Sequence, residues 1–148
     1  ILAYAARMTG LPEDAPLNLS GKKILLAEDN ELNREISEDV LVGVGFKVDL
    51  VEDGSVAVHR VLEKGPNYYD CILMDVQMPV MSGYEATQKI RELSDKALAR
   101  IPIVAMTANA FDEDRKAALD AGMDDHIAKP IDINKMKKIL VRLLGEKK

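Results

Sequence analysis

Glu28, Asp29, Asp75, Thr107 and Lys129 are the residues of this 148-residue sequence whose types could do chemistry together. Three acids, a hydroxyl and an ammonium in one pocket would make a phosphoryl-transfer set. One carboxylate attacks phosphorus, a cation bridges the charge, and the hydroxyl and ammonium hold the phosphoryl oxygens. Crowded carboxylates raise one another's pKa and weaken the fold unless something compensates. A hard divalent cation does so. Mg2+ suits the set, because it takes a few carboxylate oxygens and keeps open positions for water and phosphate. The condition is that residues spread from position 28 to position 129 meet.

The elements that must bring them together are apolar runs of strand length. Cys71 to Met74 is continuous and ends in Asp75, followed by Val76, Gln77, Met78 and Pro79. A lone acid there is ordinarily a loop residue or a helix cap, so the neighbouring strands decide the matter. Ile24 to Ala27 runs into Glu28 and Asp29, Ile103 to Met106 into Thr107, and His126 to Ala128 into Lys129. Each of the reactive residues thus follows a strand. Val48, Leu50 and Val51, interrupted by Asp49, predict a shorter strand at a sheet edge.

Helical spacing fills the intervals. Asn30 can cap a helix bearing Leu32, Ile36, Val40, Leu41 and Val44, which Gly45 stops. Asp53 can cap one bearing Val58, Val61 and Leu62, ended by Gly65 and Pro66, and Ser82 with Gly83 opens one bearing Tyr84, Ile90 and Leu93. Ser94 to Arg100 reads as a polar connection. A fourth helix from Asp112 to Ala121 is Ala-rich, with Leu119 its one large apolar anchor, and is expected to be the least firmly packed. Ile133, Met136, Ile139, Leu140 and Leu143 mark the last helix. Strand and helix alternate throughout, which predicts an α/β doubly wound parallel sheet of order 2-1-3-4-5. In that order the first, third, fourth and fifth strands are adjacent, and their C-terminal ends border one crevice.

Composition bounds the rest. The sequence is 47% hydrophobic and 30% charged, as expected of a folded domain. A net charge of −5 argues against general nucleic-acid binding and fits a site that holds a cation. No apolar run reaches membrane-spanning length and no signal-peptide pattern occurs. With one cysteine no internal disulfide can form, which points to a reducing compartment. Residues 1–20, broken by Gly10, Pro12 and Pro16, read as a linker. The start at Ile1 suggests a piece of a longer chain.

With these residues in hand, the sequence from Lys22 to Leu144 resembles the receiver domain of two-component response regulators. The matching pieces are Glu28-Asp29, Met74-Asp75-Val76-Gln77-Met78-Pro79 with Gly83 beyond, Thr107-Ala108 and Lys129-Pro130. The stretches from Glu28 to Arg34 and from Met106 to Ala110 most resemble receivers attached to hybrid histidine kinases. The resemblance implies a flavodoxin-like (βα)5 fold over residues 21–148 and a cytoplasmic phosphoprotein rather than an enzyme. It implies that Asp75 accepts a phosphoryl group from a phosphohistidine on a histidine kinase or histidine phosphotransfer domain.

It further implies that Asp29, Asp75 and the backbone carbonyl of Gln77 ligate Mg2+, with Glu28 acting through water. Lys129 would pair with Asp75 and then with a phosphoryl oxygen, aimed by a cis peptide at Pro130. Thr107 would swing toward the phosphoryl group, altering the surface of the fourth helix, fifth strand and last helix. Gln77 and Asn109 would tune slow autodephosphorylation, and as neutral amides they imply an intermediate lifetime. No nucleic acid and no membrane contact is implied, and a weak homodimer stays open.

One position departs from the family pattern. Three residues before the lysine the family usually places Tyr or Phe, and here it is His126. A histidine that titrates near neutral pH suggests a loosely coupled, pH-sensitive switch.

Other features read structurally. His59 is a solvated helix residue, Cys71 a small core residue, and the seven methionines core filler. The lysines from Lys135 onward are a solvated helix face, and Ser55 with His59 lacks a nucleophile-elbow context. No phosphate-binding Gly-rich motif occurs. A Mg2+-dependent phosphatase with Asp75 as nucleophile is the rival enzyme reading, opposed by Gln77 where a general acid would stand. A stand-alone single-domain regulator remains an alternative parentage. A pseudo-receiver is disfavoured by the complete acid, hydroxyl and lysine set.

Overall fold

The computed structural model describes residues 20–108, 112–129 and 131–145. Expectations for residues 1–19, for Asn109 and for Pro130 lie outside the described residues. The strands are β1 (Lys23–Ala27), β2 (Lys47–Val51), β3 (Cys71–Asp75), β4 (Ile103–Thr107) and β5 (Asp125–Ala128). The helices are α1 (Glu31–Val44), α2 (Gly54–Lys64), α3 (Gly83–Arg91), α4 (Lys96–Ala99), α5 (Asp112–Ala121) and α6 (Ile133–Gly145).

All strand pairs are parallel and the order is β2-β1-β3-β4-β5, the predicted one. β3 and β4 are buried along their whole length, because helices cover both faces. β2, half exposed, is an edge strand as its broken apolar pattern predicts, although at five residues it is as long as β1, β3 and β4 rather than shorter. Alternate strand residues feed separate cores. Leu25, Ile72, Met74 and Ile103 pack with Val61, Ala86, Ile90 and Ala118 of α2, α3 and α5. Ile24, Leu26, Leu73 and Val104 pack with Leu41, Met136 and Leu140 of α1 and α6. The chain reverses direction across the sheet between β1 and β3, and the crevice opens there.

Local chemistry sets the helix ends. The Asn30 and Asp53 side chains accept from N–H groups of the first turns of α1 and α2. Ser82 and Glu85 form a reciprocal capping box at α3. Gly45 ends α1 in the left-handed region at φ 111°, a conformation that glycine adopts without a Cβ penalty.

Three expectations are corrected. The segment Ser94 to Arg100 holds the one-turn α4, since Asp95 caps it and Leu98 is buried in the core. Leu119 is 52% exposed; among the described residues of α5 the buried ones are Ala118 and Ala121, whose small side chains admit close packing. Leu32 and Ile36 are 65% and 48% exposed, and Leu62 is exposed as well. α1 buries Ser37 and the expected Leu41, which lie about 100–180° round the helix from Leu32 and Ile36 and so define a different face.

Candidate functional site

Glu28 and Asp29 leave the end of β1, and Asp75 closes β3 beside it, with Ala27 and Met74 in register. Thr107 closes β4, where Asp75 pairs with Met106, and Lys129 follows β5, where Thr107 pairs with Ala128. The Lys129 N–H donates to the Thr107 carbonyl at 2.8 Å and continues the ladder into the site. Parallel pairing therefore brings all five residues to one edge.

The acids converge. Glu28, Asp29 and Asp75 each offer a carboxylate oxygen within 4.8 Å of the others, the donor set that a hard cation takes. Glu28 is 1% and Asp75 3% exposed, whereas Asp29 is open to solvent. Lys129 Nζ lies 3.0 Å from Glu28 Oε1 and 3.1 Å from Asp75 Oδ2. Glu28 Oε2 accepts from the Asn30 N–H at 3.1 Å, and Asp75 Oδ1 from the Gln77 N–H at 3.3 Å. Both oxygens of Glu28 and of Asp75 thus face partners within the protein, and Asp29 is the acid of the cluster that is open to solvent.

Burial pushes the Asp75 pKa up from 3.8 to about 6; Lys129 pulls it back in part, and the neighbouring Glu28 adds to the rise. For Lys129 burial works toward a lower pKa, but its bonds to Glu28 and Asp75 outweigh it and the pKa is raised. Lys129 is therefore a permanent cation at neutral pH. Asp75 is a carboxylate held at a cost, which makes it responsive to a further positive charge.

The cavity over these groups measures 280 Å3, with Asn30, Asn33, Gln77 and Ala108 among its walls. A larger one of 520 Å3 opens at the opposite edge of the sheet, among Lys22, Lys96 and Arg100. It holds no acid cluster among the described residues, so chemistry rather than size identifies the site.

His126 is half-buried on β5, in register with Ala105. Its Nδ1 lies 3.7 Å from Asp125 Oδ1, and Asp125 also pairs with Arg142 of α6. His59 is exposed and Cys71 buried, in keeping with their structural readings.

Sequence reasoning missed the contributions of Arg34, Gly54 and Arg91, and named Gly83 without its close approach to β3. Arg34 Nη1 donates to the carbonyls of Glu28 at 2.9 Å and Asp29 at 3.3 Å. A cation in the first turn of a helix, against the helix dipole, is the signal that could have found it. Gly54 and Gly83 let α2 and α3 approach the loop after β3 and β3 itself. Arg91 ties α3 to the carbonyls of Ala99, Ile101 and Gly122 and to Asp124.

The family model described as the response regulator receiver domain matches residues 24–141. Hybrid signal transduction histidine kinase L of Dictyostelium discoideum is 42% identical over 129 residues, 86% of this chain. The chain spans only 8% of that protein's length. The receiver domain of sensor histidine kinase PA1611 from Pseudomonas aeruginosa, solved with a magnesium ion in its active-site cleft, is 43% identical with a TM-score of 0.76. The match covers 86% of this chain and 100% of that one. The Saccharomyces cerevisiae receiver domain of Ssk1, solved with the histidine phosphotransfer protein Ypd1, is 28% identical with a TM-score of 0.76. That match covers 86% of this chain and 91% of the other.

Proposed function

The chain belongs to the response regulator receiver domain family, and from that premise we propose that Asp75 is the phosphoacceptor of a two-component phosphorelay. The observation that carries this reading is the Lys129 ammonium, bridging Glu28 and Asp75 at 3.0 and 3.1 Å inside a cluster of three acids. An Asp75 oxygen attacks the phosphorus of a phosphohistidine. The new P–O bond forms as the P–N bond breaks, and the departing imidazole takes a proton. Lys129 turns from the carboxylate to a phosphoryl oxygen, and Thr107 donates its hydroxyl to another.

Mg2+ fits the donor set and would be held by Asp29, Asp75 and the Gln77 carbonyl, with Glu28 at one remove. When bound, it neutralises charge on the carboxylate and phosphoryl oxygens. Gln77, exposed at the rim, and Asn109 set the rate at which water removes the phosphoryl group. This self-hydrolysis is slow, so the domain acts as a carrier. His126 responds at the surface of α5, β5 and α6.

The donor is a histidine kinase or histidine phosphotransfer domain. The exposed apolar Leu32 and Ile36, beside the crevice on α1, support docking of such a partner. Relatedness to hybrid kinases supports a cytoplasmic receiver at residues 21–148 of a longer kinase chain, preceded by a linker at 1–20. No helix among the described residues is long and apolar enough to cross a membrane.

The test is incubation with acetyl phosphate and Mg2+ followed by intact-mass measurement. One phosphoryl group is expected, lost on hydroxylamine treatment and absent in Asp75→Asn. A chain that stays unmodified, or an Asp75→Asn variant modified equally, overturns the reading. A phosphatase would instead release phosphate over many turnovers.

A further inference from the structure

Arg34 occupies a place where a cation gains little. It is the fourth residue of α1, in the first turn, where unpaired N–H groups and the helix dipole disfavour positive charge. Its half-buried side chain nevertheless folds back across that turn to the carbonyls of Glu28 and Asp29, at 2.9 and 3.3 Å. Among the described residues it forms no ion pair. Its charge is therefore directed at backbone rather than at the nearby carboxylates.

The neighbouring acids differ in what holds them. Glu28 is fixed by Lys129 and by the Asn30 N–H. The Asp29 carboxylate has no hydrogen-bond or ion-pair partner among the described residues, so its direction depends on the backbone from which it hangs. We propose that Arg34 is a positioning residue for the cation-holding turn. It clamps the Glu28–Asp29 backbone so that the Asp29 carboxylate stays in the cluster with Glu28 and Asp75. This role rests on the phosphoacceptor reading above, since it matters only if the cluster takes Mg2+. A guanidinium suits the task because it stays charged, reaches around the turn and offers two N–H groups from one nitrogen.

Two physical effects of removing Arg34 have opposite signs, which makes the role testable. Loss of a nearby positive charge tightens cation binding by electrostatics alone. Loss of the clamp frees Asp29 and weakens it. Residues that orient metal ligands typically change affinity by about 10- to 100-fold when replaced. The experiment is a Mg2+ titration of the parent chain, Arg34→Met and Arg34→Lys, read by calorimetry and by the amide NMR shifts of Asp29 and Asp75, with circular dichroism as the check on folding. Arg34→Met is expected to bind Mg2+ about tenfold more weakly. Arg34→Lys, which keeps the charge on a shorter stem, falls between it and the parent. Equal or tighter binding by Arg34→Met overturns the clamp. If Arg34→Met does not fold, Arg34→Lys decides: affinity equal to the parent's overturns the proposal. A parent chain that takes no Mg2+ overturns both this role and the metal-assisted reading. A parent that binds while the variants are unchanged overturns this role alone.

Discussion

The Cβ that Gly83 lacks would stand 2.1 Å from the carbonyl oxygen of Asp75. The first residue of α3 is thus pressed against the backbone of Asp75, and the loop between them closes with the Gly83 N–H donating to the Val76 carbonyl at 3.1 Å. Because the obstacle is main chain, no rotamer relieves it. Gly83→Ala must push α3 off β3, and the expected cost is about 3 kcal/mol. Gly43, inside α1 with nothing within 4 Å of its missing Cβ, is the contrast. Gly43→Ala is expected to stabilise by about 0.5–1 kcal/mol. Denaturant midpoints of the two variants check both signs.

The stability of the metal-free protein is expected to depend on the charge state of Asp75. Its pKa rises from 3.8 in the unfolded chain to about 6 in the fold, so the folded form binds the proton more tightly. Between those values the unfolded chain has lost a proton that the folded one keeps, and stability falls as pH rises through the interval. Above about pH 7 the penalty is complete. Asp75→Asn removes this slope and is expected to stabilise the fold near pH 7.5 by on the order of 1–2 kcal/mol. Thermal melts from pH 4 to 8 read the effect; an Asp75→Asn curve parallel to the parent's contradicts it.

Removing the ammonium leaves a buried acid pair without its counter-charge. Lys129→Met is expected to cost about 1–3 kcal/mol at pH 7.5 and less at pH 5, where Asp75 carries a proton. Mg2+ should restore part of the loss by mass action, because it supplies positive charge only to the folded form. Melts at both pH values, with and without Mg2+, test the three statements together.

Arg91 makes a different kind of junction. Its guanidinium donates to Gly122 at 2.8 Å, to Ala99 and Ile101 at 2.7 Å each, and to Asp124 at 2.9 Å. Asp124 in turn receives the Ile103 N–H at 2.8 Å. Arg91→Lys keeps the charge but cannot serve three carbonyls and a carboxylate in one plane. The expected loss is about 2–3 kcal/mol. Faster hydrogen exchange at Gly122 to Ile127 and at Ile103 would follow. Protection unchanged at those amides would show that the junction is dispensable.

What the sequence made legible follows from what each pattern measures. Apolar runs ending in an acid, a threonine or a lysine located β1, β3, β4 and β5, a broken run located β2, and the parallel order then dictated that Asp75, Thr107 and Lys129 share an edge. Caps were equally plain, because Asn30, Asp53 and Ser82 act within their own turn. Helix faces were less so. Leu32 and Ile36 stand about 180° and 140° round the helix from the buried Leu41, so the apolar positions of α1 do not form one stripe and could not all face the sheet. Leu119 looked like the anchor of α5 because it is large, whereas close approach favoured Ala118 and Ala121. The Arg34 and Arg91 contacts join side chains to distant carbonyls, and no periodicity reports those.

Cys71 lies sealed in β3, and it is the single cysteine of the chain. A thiol enclosed by apolar neighbours is inert to alkylation while the fold holds. A maleimide dye or nitroxide would therefore react with a cysteine installed at the exposed Leu119 and pass over the native one. The response of α5 proposed to accompany phosphorylation could then be tested by fluorescence or paramagnetic resonance in a protein altered at one surface position.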